Sequence, residues 1–501
     1  MHLYTTEIVE GKIPFAPYWD HPDNLNALCL EMLVVHALRL ERRFRMSETP
    51  VIVPLTQKQS ITWVQLIRSE WLLVASSDAG TSVITLWSIP HLLSACDTPV
   101  PLTEAFLSAP VKTGCIDPES STVIFALELL GRIDSIEILS IVDDNDSSRI
   151  CRLQTLDNIA HIRFLKDECI GVSLVNNLNI PSIVNWRDGS VKNLRPRPDL
   201  EGGAIAMHMG EDWVAVVRAR VIEIYVLQDH KYQCWSTRGL NYSTTSAFFH
   251  VSESSLRVCV TCTAGVLVFE VYNDLESRSI SLHQIWHHQP ELEKLEFTSL
   301  ATQGRLSPSG HNICWVQAPY EDWSSPTTDL LPGSFAMTRM TPGTDAIASE
   351  VVLLPCCDGS IPDMLSLGVY DYDDARGILV LGDAFGELAV VDFSGSDPHM
   401  ISQCLAKPIE TIPHADEEFL PMDAIPSHPG PPFPYLADDV NKNRGIINGR
   451  PAPKALGYWH SQRPDVRGAI HNPPEGEGWS VDEFKFRGDL TGIALLNPKL
   501  W

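Results

Sequence analysis

The feature that most constrains the fold is a pair of almost wholly apolar runs late in the chain. Ile378 to Leu381 and Leu388 to Val391 flank a turn-rich segment, Gly382 to Gly386. This pattern predicts a tight antiparallel hairpin within Asp371 to Phe393. Because consecutive positions are apolar, both faces of the hairpin must be covered, and a lone hairpin cannot cover itself. The hairpin therefore requires similar sheets on either side.

Similar strand pairs recur along the chain at intervals of roughly 43 to 66 residues, the spacing of propeller blades with insertions. They lie at Trp71 to Ile89, Ser121 to Ile141, Glu168 to Trp186, Asp212 to Leu227, Ser255 to Tyr272 and His311 to Ala318, the last with a partner strand after a long loop. Another apolar segment precedes each pair, such as Ile61 to Ile67 or Met364 to Val369, and a mixed strand such as Arg149 to Leu156 follows. Four strands per unit is the composition of a β-propeller blade.

We therefore predict an all-β fold, with residues 51–413 forming a single β-propeller of about seven four-stranded blades. A pair of β-sandwiches is the alternative. The continuously apolar middle strands favour the propeller, because sandwich sheets usually keep one face in water. The ring is expected to close by pairing terminal segments in one blade, and the sequence does not indicate which strand does so.

Residues 1–50 precede the strand pattern and contain a predicted amphipathic helix. Asp23 or Asn24 is the expected N-cap. The apolar stripe repeats at spacings of four and three and consists of Cys29, Leu33, Ala37, Leu40 and Phe44. Arginines near its end suit a helix C-terminus. We expect this stripe to pack against the propeller.

The tail, residues 414–501, begins with a proline-rich stretch, Pro426 to Pro434, that is typical of an extended linker. Its aromatic residues, among them Trp459, Trp479 and Trp501, are more numerous than a purely solvated tail needs. The tail is therefore expected to be partly ordered, with some of it lying against the ring.

Composition limits the classes of partner. The net charge is −26 and the isoelectric point is near 5.0. An acidic surface repels nucleic acid and anionic lipid and favours a basic protein partner. No signal peptide is recognisable, and Ala27 to Leu38 is too short to span a bilayer. The twelve scattered cysteines indicate reduced thiols, which predicts a cytoplasmic or nuclear protein.

Catalytic motifs are missing from the sequence. It contains no Gly-x-Ser-x-Gly elbow, phosphate-binding glycine loop or His-Glu-x-x-His motif. We predict that the protein is not an enzyme and has no metal or cofactor. The best zinc candidate combines Cys259 and Cys262 with His283 and His287, but cysteines three apart on a strand point to opposite faces, which favours core thiols. Cys356–Cys357 is interpreted as a half-buried thiol pair, with a redox role as the alternative.

Two aspartate clusters and one insertion complete the candidates. Asp143, Asp144 and Asp146, and likewise Asp371, Asp373 and Asp374, are interpreted as acceptors for backbone amides at turns, with calcium binding as the alternative. The long insertion Pro319 to Pro342 contains the candidate partner-binding residues Tyr320 and Trp323. The other interpretation of these two aromatic residues is that they cover a blade edge.

Two segments carry a family resemblance. His36 to Phe44, a helix ending just before a β-rich domain, resembles the junction in F-box proteins of mushroom-forming fungi, in which an F-box precedes a WD-repeat-like propeller. Tyr370 to Gly377, continuing through Gly382 to Leu388, is similar to the late-blade signature of the same family. The resemblance extends over about residues 1–400 and does not include the tail.

The sequence departs from this family at its start. An F-box is a helical module, usually with a Leu-Pro-x-Glu-type opening, and nothing similar precedes Tyr4. We expect either that an upstream exon encodes the F-box or that the propeller lacks the contact with a ligase adaptor. No adaptor-binding residue is carried over.

The resemblance implies a protein-interaction propeller that acts as the substrate receptor of a cullin–RING ubiquitin ligase. In such a receptor, loops on one face of a rigid ring hold the target. A scaffold propeller unrelated to ubiquitin is the first alternative. An enzyme with a site in the central channel is the second, less favoured alternative.

Overall fold

Seven sheets follow one another around a ring, as the recurring strand pairs predict. The computed structural model describes residues 25–46, most of 50–395, and the tail segments 418–422, 446–447 and 450–451. The undescribed positions within 50–395 are 69, 78–80, 95–98, 118–119, 121, 131–134, 145–146, 175–176, 196–202, 241–243, 252–255, 263–264, 275–278, 289–297, 309–311, 321–333, 340–351, 355–360, 363–368 and 384–385.

The first described strand, β1 (Val51–Thr56), belongs to the last blade, and blades 1 to 3 follow it. Blade 1 contains β2 (Ser60–Ile67), β3 (Trp71–Ser77), β4 (Ser82–Ser88) and β5 (Thr103–Leu107). Blade 2 contains β6 (Val111–Ile116), β7 (Ile124–Leu129), β8 (Ser135–Asp144) and β9 (Ser147–Asp157). Blade 3 contains β10 (Ile159–Lys166), β11 (Cys169–Leu174), β12 (Asn177–Asn185) and β13 (Val191–Asn193).

Blades 4 to 7 continue in the same direction. Blade 4 contains β14 (Ala206–Met209), β15 (Trp213–Arg218), β16 (Val221–Gln228) and β17 (Lys231–Gly239). Blade 5 contains β18 (Thr244–Val251), β19 (Leu256–Cys262), β20 (Gly265–Asp274) and β21 (Ser279–His288). Blade 6 contains β22 (Thr298–Leu306), β23 (Asn312–Tyr320), β24 (Ser334–Arg339) and β25 (Val352–Leu354). Blade 7 contains β26 (Val369–Asp373), β27 (Ile378–Gly382) and β28 (Glu387–Asp392), completed by β1.

The ring closes in blade 7, where β1 pairs with β28 from Val51 opposite Asp392 to Thr56 opposite Glu387. The amide of Gln57 donates to the carbonyl of Gly386 at 2.7 Å and continues the contact beyond the strand. Of the apolar segment predicted before this hairpin, Met364 to Val369, only Val369 is among the described residues, and β26 begins there. The rest of β26 carries Asp371 and Asp373, which are buried although they are not apolar.

Alternating side chains of each blade fill the seams to its two neighbours, which explains the continuously apolar strands. In blade 7, Ile378 and Val380 pack toward blade 1, whereas Leu379 and Leu381 pack toward blade 6. Each of the seven seams has its own cluster of buried side chains. The prediction that the hairpin needs a sheet on either side is confirmed.

The N-terminal helix, α1 (Ala27–Met46), begins later than predicted. Its N-cap is Asn26, whose Oδ1 accepts a hydrogen bond from the amide of Cys29 at 2.9 Å. Asp23 and Asn24 lie outside the described residues. The buried face contains the predicted Cys29, Leu33 and Leu40 and also Leu30, Val34 and His36. Ala37 is half-buried, and the side chain of Phe44 is outside the described part.

The two faces of the ring are set by the antiparallel order of strands within each blade. Turns between the first and second strands, and connections between the third and fourth, lie on one face, which we call the helix face because α1 packs there. Turns between the second and third strands, and connections to the next blade, lie on the opposite face. A short helix, α2 (Ile89–Ser94), joins β4 to β5 on the helix face.

Part of the tail lies on the ring. The strand β29 (Glu418–Phe419) pairs antiparallel with β9 and gives blade 2 a fifth strand. A separate hairpin joins β30 (Ile446–Ile447) to β31 (Arg450–Pro451). Among the described strands, blade 2 is the only blade with such an addition.

Three glycine substitutions test the closure of the ring. Gly386 has φ +85°, and an added Cβ would lie 2.4 Å from the carbonyl oxygen of Gln57. Gly189 shares a positive φ of +72° but has open space, and Gly239 has open space without a positive φ. A left-handed conformation costs an L-residue about 1–2 kcal/mol. Urea unfolding is expected to show little change for Gly239→Ala, about 1 kcal/mol of destabilisation for Gly189→Ala, and clearly more for Gly386→Ala. Equal losses at positions 189 and 386 would contradict the tight contact at the closure.

Candidate functional site

Of the two sequence-predicted contact residues, Tyr320 lies on the face opposite α1. Tyr320 is the last residue of β23, and its backbone pairs with Thr298. The predicted insertion, Pro319 to Pro342, is therefore too long, because Pro319 and Tyr320 belong to β23 and Ser334–Arg339 forms β24. Trp323 lies outside the described residues, as do Cys356 and Cys357. The role proposed for Tyr320 and Trp323 remains a prediction.

Exposed apolar side chains in the described part of the chain concentrate on the helix face. Ten large hydrophobic residues of the described part are exposed, and nine of them belong to the helix face. These nine lie on α1, in a connection between strands on the helix face, or within two residues of a strand end on that face. These nine are Leu28, Val35, Leu38, Val51, Val100, Leu102, Val191, Val251 and Tyr272. An uneven distribution of this kind marks the helix face as the better candidate for a protein contact.

The helix α1 has a second apolar stripe that points away from the ring. Leu28, Val35 and Leu38 are 64%, 41% and 57% exposed, and they share one side of the helix with the exposed Arg39 and Arg42. A helix that packs on one side is normally polar on the other. We call Leu28, Val35 and Leu38 the outer stripe, and its exposure indicates a surface that a partner could cover.

Sequence reasoning missed the outer stripe because it searched for a single apolar face. The signal was present: residues 28, 35 and 38 are spaced by seven and three, which places them on one side of a helix. Two apolar stripes on one helix predict two packing surfaces, of which the ring supplies one.

The inner face of α1 is fixed on blade 7 by specific contacts. The Nε2–H of His36 donates to the carbonyl oxygen of Ala375 at 3.0 Å, in the turn between β26 and β27. Leu40 packs closely against Gly377, because a Cβ added to Gly377 would lie 2.2 Å from the Cδ2 atom of Leu40. Arg43 donates to the carbonyl of Phe393 at 3.4 Å and lies over Gly395. The helix is therefore held at a defined position on the ring.

The electrostatics of this junction keep His36 neutral. Burial, followed by the charges of Arg376 and Arg39, lowers the pKa of His36 to about 3, although the hydrogen bond to Ala375 opposes the shift. A neutral imidazole suits a site in which a buried arginine lies nearby. The attachment of α1 consequently depends on an uncharged histidine.

Asp371 on the innermost strand β26 connects three blades. Its Oδ1 accepts from Arg305 of blade 6 at 2.7 Å, and its Oδ2 accepts from the backbone amide of Leu66 and the side-chain amide of Gln65 in blade 1, both at 2.6 Å. Burial raises the pKa of Asp371, against the opposing effect of Arg305 and the amides of Leu66 and Tyr372. The carboxylate is occupied by contacts between blades.

The neighbouring aspartates have similar structural partners. Asp373 accepts from the amides of Ala375 and Arg376 at 3.1 Å, as predicted for an aspartate at a turn. Asp374 accepts instead from Ser307 at 2.8 Å and Asn312 at 2.7 Å in blade 6. Asp143 and Asp144 end β8, and Asp146 lies outside the described residues.

A second charged group lies on the seam between blades 2 and 3. Glu128 accepts from Lys112 at 2.7 Å and from the amide of Ile162 at 3.3 Å, and Lys112 also contacts Nδ1 of His161 at 3.1 Å. Burial alone would raise the pKa of Glu128, but Lys112 and His161 outweigh it and hold the pKa at about 2. His161 has φ 58°, at an irregularity in the pairing of β10 with β11. This carboxylate, like Asp371, joins neighbouring blades.

The cysteines of the zinc candidate are core residues. Cys259 lies in the seam between blades 5 and 6 with Trp286 and Trp315, while the thiol of Cys262 donates to the carbonyl of Gly265 at 3.4 Å. His283 is on the outer strand β21 opposite Glu270, and the side chain of His287 is not described. Within the described residues, no three potential ligands lie close enough to hold a metal ion.

Comparison with protein-family models and with curated proteins found no match to this chain. The described helices include none that is both long and apolar enough to cross a membrane.

Acidification should weaken the attachment of α1. Because the folded-state pKa of His36 is depressed, its contribution to stability is complete above about pH 6.5 and is lost as the pH falls toward 3. The loss approaches about 1.4 kcal/mol per pH unit within that window. Glu128 has a depressed pKa too, but its contribution declines only below its ordinary value of 4.5.

The measurement compares wild type with His36→Gln, which keeps a side-chain N–H and does not titrate. We expect the stability advantage of wild type, from urea unfolding, to shrink between pH 7 and pH 5. Hydrogen exchange of the α1 amides should accelerate over the same range in wild type only. If the difference in unfolding free energy between wild type and His36→Gln does not vary with pH, the proposed role of neutral His36 is wrong.

Asp371→Asn tests whether the carboxylate stabilises the ring. The substitution keeps one acceptor oxygen but removes the charge beside Arg305, so a loss of about 2–3 kcal/mol in unfolding free energy is expected. Asp188→Asn is the matched control, since Asp188 is exposed and accepts hydrogen bonds from the nearby Ser190. Equal stability of wild type and Asp371→Asn would indicate that Asp371 is not structural.

Proposed function

We propose that this protein is a non-enzymatic interaction module, in which a propeller with a fixed N-terminal helix binds a protein partner through its helix face. The observation that carries the proposal is the outer stripe of α1, together with the other exposed apolar residues on that face. We further propose that the module is the substrate-receptor part of an F-box protein in a cullin–RING ubiquitin ligase.

The contact between the two family-like segments supports the finer proposal. His36 and Leu40 belong to the helix segment that resembles F-box proteins of mushroom-forming fungi, and Ala375 and Gly377 belong to the late-blade segment. In the structure these segments touch each other, through the His36–Ala375 hydrogen bond and the packing of Leu40 on Gly377. The two patterns are therefore two halves of one junction.

A rigid junction suits a receptor. Because α1 is packed against the ring and hydrogen-bonded to it, a protein bound to the outer stripe is held at a fixed position relative to the target-binding surface of the propeller. A ligase needs such a fixed distance, because its target must be held within reach of the transferred ubiquitin. Gly377 under Leu40 and Gly395 under Arg43 have no side chain, which permits the close approach that the junction requires.

The non-enzymatic part of the proposal rests on how the inner carboxylates are used. Asp371, Asp374 and Glu128 are buried and accept hydrogen bonds from neighbouring blades. Groups with these partners are poorly placed to act on a substrate. We propose a basic protein partner, without nucleic acid or membrane binding, in the cytoplasm or nucleus, in keeping with the net charge of −26.

The ligase assignment is tested by co-purification of the full-length gene product, including any upstream exon, from cells that express it. Adaptor and cullin subunits should be enriched relative to a propeller without residues 1–50. If no ligase subunit co-purifies even with the upstream sequence restored, the module is a scaffold unrelated to ubiquitin.

The binding face is tested with three matched proteins and one partner recovered from that experiment. Leu28→Glu, Val35→Glu and Leu38→Glu combined should weaken partner binding at least about tenfold, as loss of a central apolar contact does. Lys58→Glu, in an exposed loop of the opposite face, should leave affinity unchanged. Tyr320→Ala with Trp323→Ala tests the sequence-predicted residues. Weaker binding only in this last protein would place the site on the opposite face.

A further inference from the structure

The outer edge of blade 2 carries a surface that the proposed function does not use. The tail segment Glu418–Met422 lies there, between blade 2 and blade 1. The carbonyl of Ile150 accepts from the amide of Leu420, and the amide of Phe106 donates to the carbonyl of Pro421, both at 3.0 Å. The segment thus has main-chain hydrogen bonds on two sides, which define a groove.

Side chains of the segment fill distinct parts of this groove. Leu420 is 2% exposed and enters the apolar cluster of the seam between blades 1 and 2, beside Ile150 and Leu107. Phe419 lies under the guanidinium of Arg149, whose Cζ is 3.8 Å from the ring centroid. Glu418 pairs with Arg152 at 2.9 Å. The groove therefore binds an acidic residue, an aromatic residue and a leucine at three successive positions.

Glu137, in the same blade, holds the side chain of Arg152 in a position to bind an acidic residue. Its Nε donates to Glu137 at 2.7 Å, and Glu137 also accepts from Thr155 at 3.0 Å. The Nη1 atom remains directed at Glu418, which is itself 71% exposed. The pairing with Glu418 adds little stability in water, but it favours an acidic residue over a basic one.

The described tail residues cover a small part of the strand edge on which they lie. β9 is 11 residues long, the longest outer strand among those described, whereas β29 pairs with only two of its residues. The outer edge of a sheet is a site of strand addition. A longer extended segment would form more main-chain hydrogen bonds along residues 153–157 than the two residues of β29 form with β9.

We propose that this edge of blade 2 is a strand-addition site for an extended segment of a partner protein, with an acidic residue, an aromatic residue and a leucine in succession. The chain's own Glu418–Leu420 occupies the site in cis and competes with the partner. Release of the tail opens both the edge of β9 and the leucine pocket. The site is separate from α1, so this proposal does not depend on the proposed function.

The test uses a fluorescent synthetic peptide with the sequence of residues 412–424. The protein is the full chain carrying Phe419→Ala and Leu420→Ser, which disables the cis segment. Phe419→Ala alone, which keeps the buried leucine, is a second variant in case the double variant is unstable. Fluorescence anisotropy should show binding to the variants at least about tenfold tighter than to wild type, because the tethered segment competes at high effective concentration.

Three changes to the peptide probe the groove. Replacing its leucine with aspartate should weaken binding at least about tenfold. Replacing residues 413–417 with alternating Thr and Val should strengthen it several-fold, through added pairing with β9. A Glu418→Lys peptide should bind poorly to the variant chain but better after Arg152→Glu is introduced. This reversal depends on the groove itself and would not follow from a change in stability.

Several results would overturn the proposal. These are peptide binding to neither variant, binding that does not depend on the leucine, and the same affinity for wild type and variants. Dimers formed by exchange of the tail, detected by light scattering after size exclusion, would show that a second copy is the occupant and would also reject a partner segment.

Discussion

The ring depends on the pairing of β1 with β28. Blade 7 has three strands of its own, and its fourth comes from the other end of the propeller sequence, so one set of main-chain hydrogen bonds ties the two ends together. The same strand completes two seams, because Ile52 packs toward blade 6 while Val53 and Leu55 pack toward blade 1. Since α1 directly precedes β1, closure also determines where the helix lies.

Between blades, apolar packing is supplemented by carboxylates that reach across the seams. Asp371 accepts from the backbone of blade 1, Glu128 from that of blade 3, and Asp117 from the amide of Asp167 at 2.7 Å. In an interior of low dielectric such bonds are strong, and an unmatched carboxylate would be costly. Part of the acidic composition therefore belongs to the interior. At these seams the carboxylates link specific atoms of neighbouring blades, which apolar contacts alone do not do.

The strand pairs were predictable because burial on both faces leaves a local signature, the continuous apolar run. Strand β1 was not, since Pro54 interrupts it, Val51 and Thr56 are exposed, and its partner is more than 300 positions away. The role of Asp373 was predictable for the same local reason, because its acceptor bonds lie within three residues. The partners of Asp371 and Asp374 are distant in sequence, so only the assembled ring reveals them.

Because the inner carboxylates Asp371, Asp374 and Glu128 are already hydrogen-bonded between blades, we look for recognition where the fold leaves a surface incomplete. Two such places are found in the described residues, the outer stripe of α1 and the edge of β9. They differ in chemistry: the first offers apolar side chains on a helix, and the second offers backbone groups beside two arginines. Because α1 lies on blade 7 and β29 on blade 2, blade 1 separates them. The two partners that we propose would therefore bind without competing, and the rigidity of the ring would fix the distance between them.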